Sequence, residues 1–359
     1  MKAAVCTEFG KPLVIEELDI DPPQSGEVKV KMAACAICHS DILFMEGAWG
    51  GELPAVYGHE AAGVVEEVGP DVDGIAAGDH VVVALIRSCG HCYYCARNDS
   101  HICETVFTLD RENRIHRADG TGIHAAMRTG AFAEYVVVEQ SQVVVVPKDI
   151  PLDSASLLAC GVITGLGAVV NTAKVASGSS VVVIGTGGVG LNSIQGAALS
   201  GAHPVIAMDL EEVKLDAAKS FGASHGIDAS TEAADEMVRA LTGGRGADYV
   251  FVTVGSVKAI EQGLGLLRKS GTLVVVGMPP VGAMAQVEAV TLANNCHVIM
   301  GSKMGSARLA VDVPKLVRLY QEGGLKLDEL ISARYSLEQI NEAIGSVKRA
   351  EALRNVIVF

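Results

Sequence analysis

The chain has 359 residues, 49% of them apolar and 19% charged, with a formal net charge of −14 and ten histidines. That length buries a sizeable core and suits two domains. The acidic balance argues against nucleic acid and anionic membrane as partners, because their phosphate field repels such a surface. The most apolar stretches, around 155–170 and 180–199, are broken by glycines, so neither reads as a membrane span of about 20 residues. Residues 1–10 lack the apolar core of a secretion signal, which makes the cytoplasm the expected location and reduced thiols the default for nine cysteines.

From residue 1 to about 147 the chain reads as short β runs separated by glycine turns, for example at 27–32, 63–68 and 80–85, an antiparallel, barrel-like pattern. Two sets of metal-binding side chains lie here. Cys38 in CAICHSD, His59 beside Glu60 in YGHE, and Cys160 in LLACG are dispersed. Taken singly each is weak, since a lone cysteine in an apolar run is usually core. Taken together, three ligands leave a fourth position open on a zinc ion, the arrangement that catalysis needs. Cys35 and Cys38 also spell CxxC, but no strand–helix–strand context of a redox dithiol surrounds them. The second set, Cys89, Cys92, Cys95 and Cys103, is compact, running C-x2-C-x2-C-x7-C. Four closely spaced thiolates on a turn meet the tetrahedral geometry of structural zinc, with sulfur at roughly 2.3 Å. A disulfide knot is the alternative in an oxidising compartment, and an iron–sulfur cluster takes the same ligand type.

From about residue 151 the pattern changes. Apolar runs at 180–184, 204–209, 248–252 and 272–276 alternate with helix-length segments, as in a doubly wound α/β fold whose parallel sheet is covered on both faces. Directly after the first run comes Gly185-Thr-Gly187-Gly188-Val189-Gly190. Glycines there permit a tight turn and close backbone approach to a pyrophosphate, whose charge the following helix N-terminus favours. The second run ends in Asp209, followed by Leu210, Glu211 and Glu212 and no arginine. A carboxylate at that point accepts from both adenosine ribose hydroxyls and repels a 2′-phosphate, which favours NAD over NADP. Further helices are predicted at 314–321 and 337–350.

The motifs GHEAAGVVEEVG, LLACGVITGLGAV, VVVIGTGGVGL with VIAMD, the four-cysteine loop and the closing NEAIGSVKRAEALRNVIVF together resemble the zinc-dependent medium-chain alcohol dehydrogenase family from end to end. The resemblance implies a GroES-like, β-rich catalytic domain over 1–161 carrying both zinc sites, an NAD-binding Rossmann domain over 162–303, and a return to the catalytic domain over 304–359. It makes Cys38, His59 and Cys160 the catalytic zinc ligands and the four clustered cysteines the structural ones, two zinc ions per subunit. Asp41 and Glu60 match the acidic residues behind and beside the metal, and Ser40 the hydroxyl that takes the alcohol proton. His39 and Arg354 match pyrophosphate contacts and Lys214 an adenosine ribose contact. Thr164 matches a residue against the nicotinamide, which Val276 and Met278 would wall.

The implied activity is reversible hydride transfer between a primary or secondary alcohol and NAD, giving an aldehyde or ketone. Pocket positions Leu85, Phe107, Ala126, Met127 and Met304 offer mostly aliphatic walls. Leu43 stands where dimeric members carry a relay histidine. A glutathione- or other thiol-dependent formaldehyde dehydrogenase is the alternative, but Ala48, Trp49 and Gly50 occupy the place of that class's acidic pair. A polyol dehydrogenase is disfavoured because that branch usually has glutamate in place of Cys160. A non-catalytic relative is disfavoured because the ligands, Ser40 and Asp209 are all retained. The long segment between Cys103 and Phe132 implies a homodimer joined through strands near 298–301.

Overall fold

Alternation of valines with charged residues along EVKVKMAACA produces the longest strand of the molecule, Glu27–Ala36. The computed structural model describes residues 1–359 and divides them into Met1–Gly161 with Arg308–Phe359, and Val162–Ala307.

In the first unit the strand Glu27–Ala36 pairs antiparallel with Glu60–Val68, Tyr135–Glu139 and Arg354–Val358. These belong to a seven-stranded sheet that also holds His80–Val83, Val143–Val145 and Ile331–Tyr335, and a second, six-stranded sheet includes Lys2–Cys6 and Val14–Glu17. Valines 28, 30, 65, 81, 83, 136 and 138 form one core with Tyr57, Phe132 and Ile357. Full burial of one such aliphatic or aromatic side chain contributes about 1.5–3 kcal/mol. Register decides what leaves the sheet at one end. Ala36 lies opposite Glu60 on one side and Val356 on the other, so Cys38, His59 and Arg354, far apart in sequence, emerge together.

The second unit is a six-stranded, wholly parallel sheet ordered His225–Asp228, Val205–Asp209, Val181–Ile184, Ala247–Val252, Leu267–Val275, Val298–Gly301. Both faces of Val181–Ile184 and Val205–Asp209 are buried, which is why these strands read as continuous apolar runs rather than alternating ones. The order reverses beside Val181–Ile184, the crevice where ligands bind in open α/β sheets.

Several boundaries differ from the sequence reading. The strand expected at 63–68 starts at Glu60, and that expected at 80–85 ends at Val83. The helix placed at 314–321 begins at Leu309 and carries Pro314 inside it. Asp312 Oδ2 accepts from Arg308 N at 2.8 Å, a start signal stronger than the proline that the sequence suggested. The second division between the units falls after Ala307, not after residue 303. The turn Met304–Ser306 stays with the second unit because Gly305 packs on Gly167, where a Cβ would lie 2.5 Å from the Gly305 carbonyl, and because Thr172 Oγ1 meets Ser302 and Ser306 hydroxyls at 2.9 and 2.8 Å. No single helix is long and apolar enough to cross a membrane, and the bent pair Leu152–Ala159 and Gly161–Ala173 is core: Leu157, Leu158, Val162 and Ile163 are buried.

Candidate metal centres and cofactor site

Cys38 caps the N-terminus of the short helix His39–Met45, and Asp41 in its first turn accepts from the Cys38 backbone N–H at 3.0 Å. Asp41 is fully buried and also accepts from Gly58 N at 3.0 Å and from His59 Nδ1 at 2.9 Å. Three N–H donors satisfy this buried carboxylate, and the bond from Nδ1 fixes the His59 tautomer. His59 Nε2, buried and without a hydrogen-bond partner, therefore presents its lone pair to a point shared with Cys38, Glu60 and Cys160. The donor atoms of these four residues all lie within 4.8 Å of one another, and all four residues are buried. Leaving such a nitrogen unpartnered costs about 1–3 kcal/mol in a buried site, and two thiols plus an imidazole are a donor set for zinc. The residues fit the ion that the sequence assigns to them.

The charges agree. Contact with Cys160 holds the Cys38 thiol well below its usual range, and the same contact, with burial, pushes Cys160 up. Burial pushes Glu60 up to about 8 against the opposing pull of Arg354. Arg354 Nη1 lies 3.2 Å from Glu60 Oε1 and donates to the Ile37 carbonyl at 3.2 Å. A Cβ at Gly161 would come within 2.2 Å of Arg354 Nη2, so a larger residue there would displace the guanidinium. The motif match assigns Arg354 to a phosphate and gives no sign of this pairing with Glu60. Nothing in the local pattern signals this, because the two residues meet only through the sheet. Cys35, the other half of CxxC, packs into the core with its thiol pushed well up by burial. His39 is exposed and Ser40 half-buried.

Cys89, Cys92, Cys95 and Cys103 also converge within 4.8 Å, on half-exposed loop positions. Cys92 caps the helix Tyr93–Ala96, accepting from Cys95 N at 3.5 Å, and Cys89 Sγ accepts from Cys92 N at 3.2 Å. Backbone N–H groups aimed at sulfur favour thiolates, as a metal requires.

In the second unit the glycine turn divides its work. Gly185 has φ +89°, a conformation that costs side-chain-bearing residues. At Gly190 a Cβ would meet the Gly185 carbonyl at 1.8 Å, whereas at Gly187, the N-cap of the helix Gly188–Leu199, no protein atom lies within 4 Å of that place. The cradle is open where a pyrophosphate approaches and closed where helix packs on strand. Val189 is half-buried in the first turn. Asp209 Oδ2 accepts from Thr186 N and Oγ1 at 2.6 and 3.1 Å, and Oδ1 from Leu210 N and Glu211 N at 2.8 and 3.2 Å. Thr186 thus orients the carboxylate, a role that the sequence reading overlooked although the threonine lies inside the motif. Thr164 donates to Met304 Sδ at 3.6 Å, Val276 is buried, Met278 is exposed and Lys214 half-buried.

A cavity of about 220 Å³ in the first unit is lined by Phe44, Gly51, Glu52, Tyr57, His124, Ala126 and Met127. Of the predicted wall positions in this unit, Ala126 and Met127 line it, and Leu85 and Phe107 do not. Its aromatic side, Phe44 against Trp49 at 5.0 Å and Tyr57 at 6.4 Å, was not anticipated.

Comparison with known proteins agrees with this geometry. Residues 24–148 match the alcohol dehydrogenase GroES-like domain and residues 188–322 the zinc-binding dehydrogenase family. The chain is 39% identical to the NDMA-dependent alcohol dehydrogenase of Amycolatopsis methanolica, over 99% of this chain and 98% of that one. It is 35% identical to the S-(hydroxymethyl)glutathione dehydrogenase of Paracoccus denitrificans, over 100% and 99%. The crystal structure of benzyl alcohol dehydrogenase from Acinetobacter calcoaceticus superposes with a TM-score of 0.92 at 33% identity, covering 100% of this chain and 99% of that one. With both metal-ligand sets and the dinucleotide cradle in place, the chain belongs to the zinc-dependent medium-chain alcohol dehydrogenase family, oxidoreductases acting on the CH–OH group.

Proposed function

We propose that this enzyme oxidises primary or secondary alcohols with apolar bodies, reversibly and with NAD, using one catalytic and one structural zinc ion per chain. The observation that carries this reading is the buried convergence of Cys38, His59 and Cys160 with His59 Nε2 left unpartnered. Zinc held there supplies the Lewis acidity that lowers an alcohol's pKa, and a bound nicotinamide accepts the hydride. The residues do the rest. Asp41 holds His59 in the metal-binding tautomer. Ser40, in the first turn of the same helix, takes the hydroxyl proton as the carbinol C–H gives up its hydride. Because Leu43 occupies the relay position, no imidazole stands there to take that proton on from Ser40. Asp209, oriented by Thr186, binds the adenosine ribose hydroxyls and disfavours a 2′-phosphate. Lys214 would contact that ribose. His39 and Arg354 are assigned to the pyrophosphate, and Thr164, Val276 and Met278 to the nicotinamide.

The thiol-adduct alternative draws support from the Paracoccus relative's name and is opposed by Ala48, Trp49 and Gly50. The cytoplasm suits thiolate ligand sets. A homodimer is favoured by the edge strand Val298–Gly301, which pairs only with Leu267–Val275 and exposes Val298 and Ile299; light scattering showing a tetramer overturns it. The deciding experiment is initial-rate formation of NADH and, in parallel, NADPH over aliphatic, aromatic, secondary and polyol alcohols, with and without formaldehyde and glutathione. Turnover of simple alcohols with NAD is expected. Turnover only of the glutathione adduct transfers the assignment to the alternative, and silence throughout rejects both.

A further inference from the structure

Two consecutive residues at the cavity wall adopt a left-handed conformation that neither is suited to: Met127 with φ +52° and Arg128 with φ +65°. Non-glycine residues stay in that region only when their surroundings over-determine it. Here the surroundings are a buried polar clasp. The Arg128 carbonyl accepts from Arg87 Nη2 and from Gln142 Nε2, both at 3.0 Å. Arg87 is only 3% exposed and spends its other donors on Gln142 Oε1 at 2.6 Å and Asp110 Oδ1 at 2.8 Å. Asp110 reaches back to Arg128 Nε at 3.2 Å, and Gln142 is anchored to the Ala84 carbonyl at 2.8 Å. The clasped turn leads into the segment that is bonded to the one carrying His59, for Ala131 N donates to Gly58 O at 2.9 Å and Phe132 N to Tyr57 O at 2.8 Å.

We propose that Arg87 is a positioning residue for substrate selection, holding the Met127–Arg128 turn through the Arg128 carbonyl and so setting the width of the cavity between Met127 and the Phe44–Tyr57 side. The proposal rests on the functional reading above and on the alcohol's apolar body entering this cavity, which the predicted pocket positions Ala126 and Met127 line. A guanidinium is required because the three acceptors are met by three separate nitrogens of one planar fork, Nε, Nη1 and Nη2, a span that the single nitrogen of a lysine does not cover. Arg87 touches no reacting atom, and its effect therefore falls on substrate binding and discrimination.

The test compares the zinc-loaded wild type with Arg87→Met, Arg128→Gly and the double variant. Amide hydrogen exchange is read at residues 126–130, and kcat and KM are measured for ethanol and for benzyl alcohol. Glycine takes positive φ without help. Arg87→Met is expected to speed exchange in the turn and to shift KM for benzyl alcohol about tenfold more than KM for ethanol, the scale on which apolar pockets discriminate. Adding Arg128→Gly is expected to restore most of that shift. Unchanged exchange overturns the clasp. Faster exchange with kcat falling alike for both alcohols, or without rescue by Arg128→Gly, overturns the role in selection. A wild type that oxidises neither alcohol defeats the functional reading, and the role in selection with it, while exchange still reports on the clasp. If Arg87→Met does not fold, Arg87→Lys, which keeps the charge and loses the three-way geometry, is read in the same way.

Discussion

The two cysteine sites are built on opposite plans. Cys89, Cys92, Cys95 and Cys103 lie close in sequence on half-exposed loops, with only short turns and N–H···S bonds to hold them. Cys38, His59 and Cys160 come from distant segments, are fully enclosed, and are set by a strand register, a helix cap and the triply bonded Asp41. A local site needs its ion to complete the loop's structure, whereas a dispersed site is shaped before the ion arrives. That difference suits a structural metal in the first case and an open, reactive coordination position in the second.

The contrast can be broken most severely at the dispersed site. His59→Gln is expected to reduce zinc from two ions per chain to one and to lower kcat by about a thousandfold, since metal stabilisation of developing charge is worth several kcal/mol; circular dichroism should remain that of the wild type. Retention of two zinc ions would remove His59 from the ligand set. Cys103→Ser at the local site is expected to do the reverse, lowering the melting temperature by roughly 10 °C as several kcal/mol of metal-linked folding energy is lost. Equal losses of stability in both variants would erase the distinction between the two plans.

A smaller effect sharpens it. Asp41→Asn keeps the shape behind His59 but removes the charge that fixes its tautomer, and zinc affinity in a chelator competition should fall about 10- to 100-fold, the usual cost of losing such a partner. In the second unit, Asp209→Asn should cut the ratio of NAD to NADP use by about tenfold to a hundredfold, the worth of charged hydrogen bonds at 1.5–3 kcal/mol; an unchanged ratio would assign cofactor choice elsewhere.

The smallest expected effect lies away from both metals. Burial raises the Asp248 carboxyl, but the two Ser180 bonds and Arg268 outweigh it and hold it below its ordinary value of 3.8. A depressed folded pKa contributes stability that is present above the unfolded value and is lost as pH falls through the folded one. Denaturant melts should therefore show Asp248→Asn less stable than wild type at neutral pH, with the gap closing below about pH 4. A gap that persists at pH 2 would make the interaction one of packing rather than charge.

Much of this was legible in the chain. The four-cysteine loop is readable because its geometry is local, and the glycine turn is readable because one short stretch contains strand end, turn and helix start. The strand candidates of the second unit were also visible, since burial on both faces leaves continuous valine and isoleucine. Less legible were contacts that depend on how strands are laid side by side. The motif match takes Arg354 to a phosphate and carries no sign that the register setting Ala36 against both Glu60 and Val356 also places it beside Glu60. Met304 was placed with the returning catalytic segment, yet the Gly305–Gly167 approach ties it to the cofactor unit. The clasp of Arg87, Asp110, Arg128 and Gln142 has no periodic or motif signal at all.

Residue spacing and the period of burial alone carry the four-cysteine loop, the glycine turn with its terminal carboxylate and the division into a β-rich and a doubly wound part, because each is a local pattern. Which ring nitrogen of His59 faces the thiols, where the Arg354 charge is neutralised and how the cavity wall is held come from the packing of distant segments. Those outcomes depend on strand register and on buried hydrogen bonds between segments far apart in the chain.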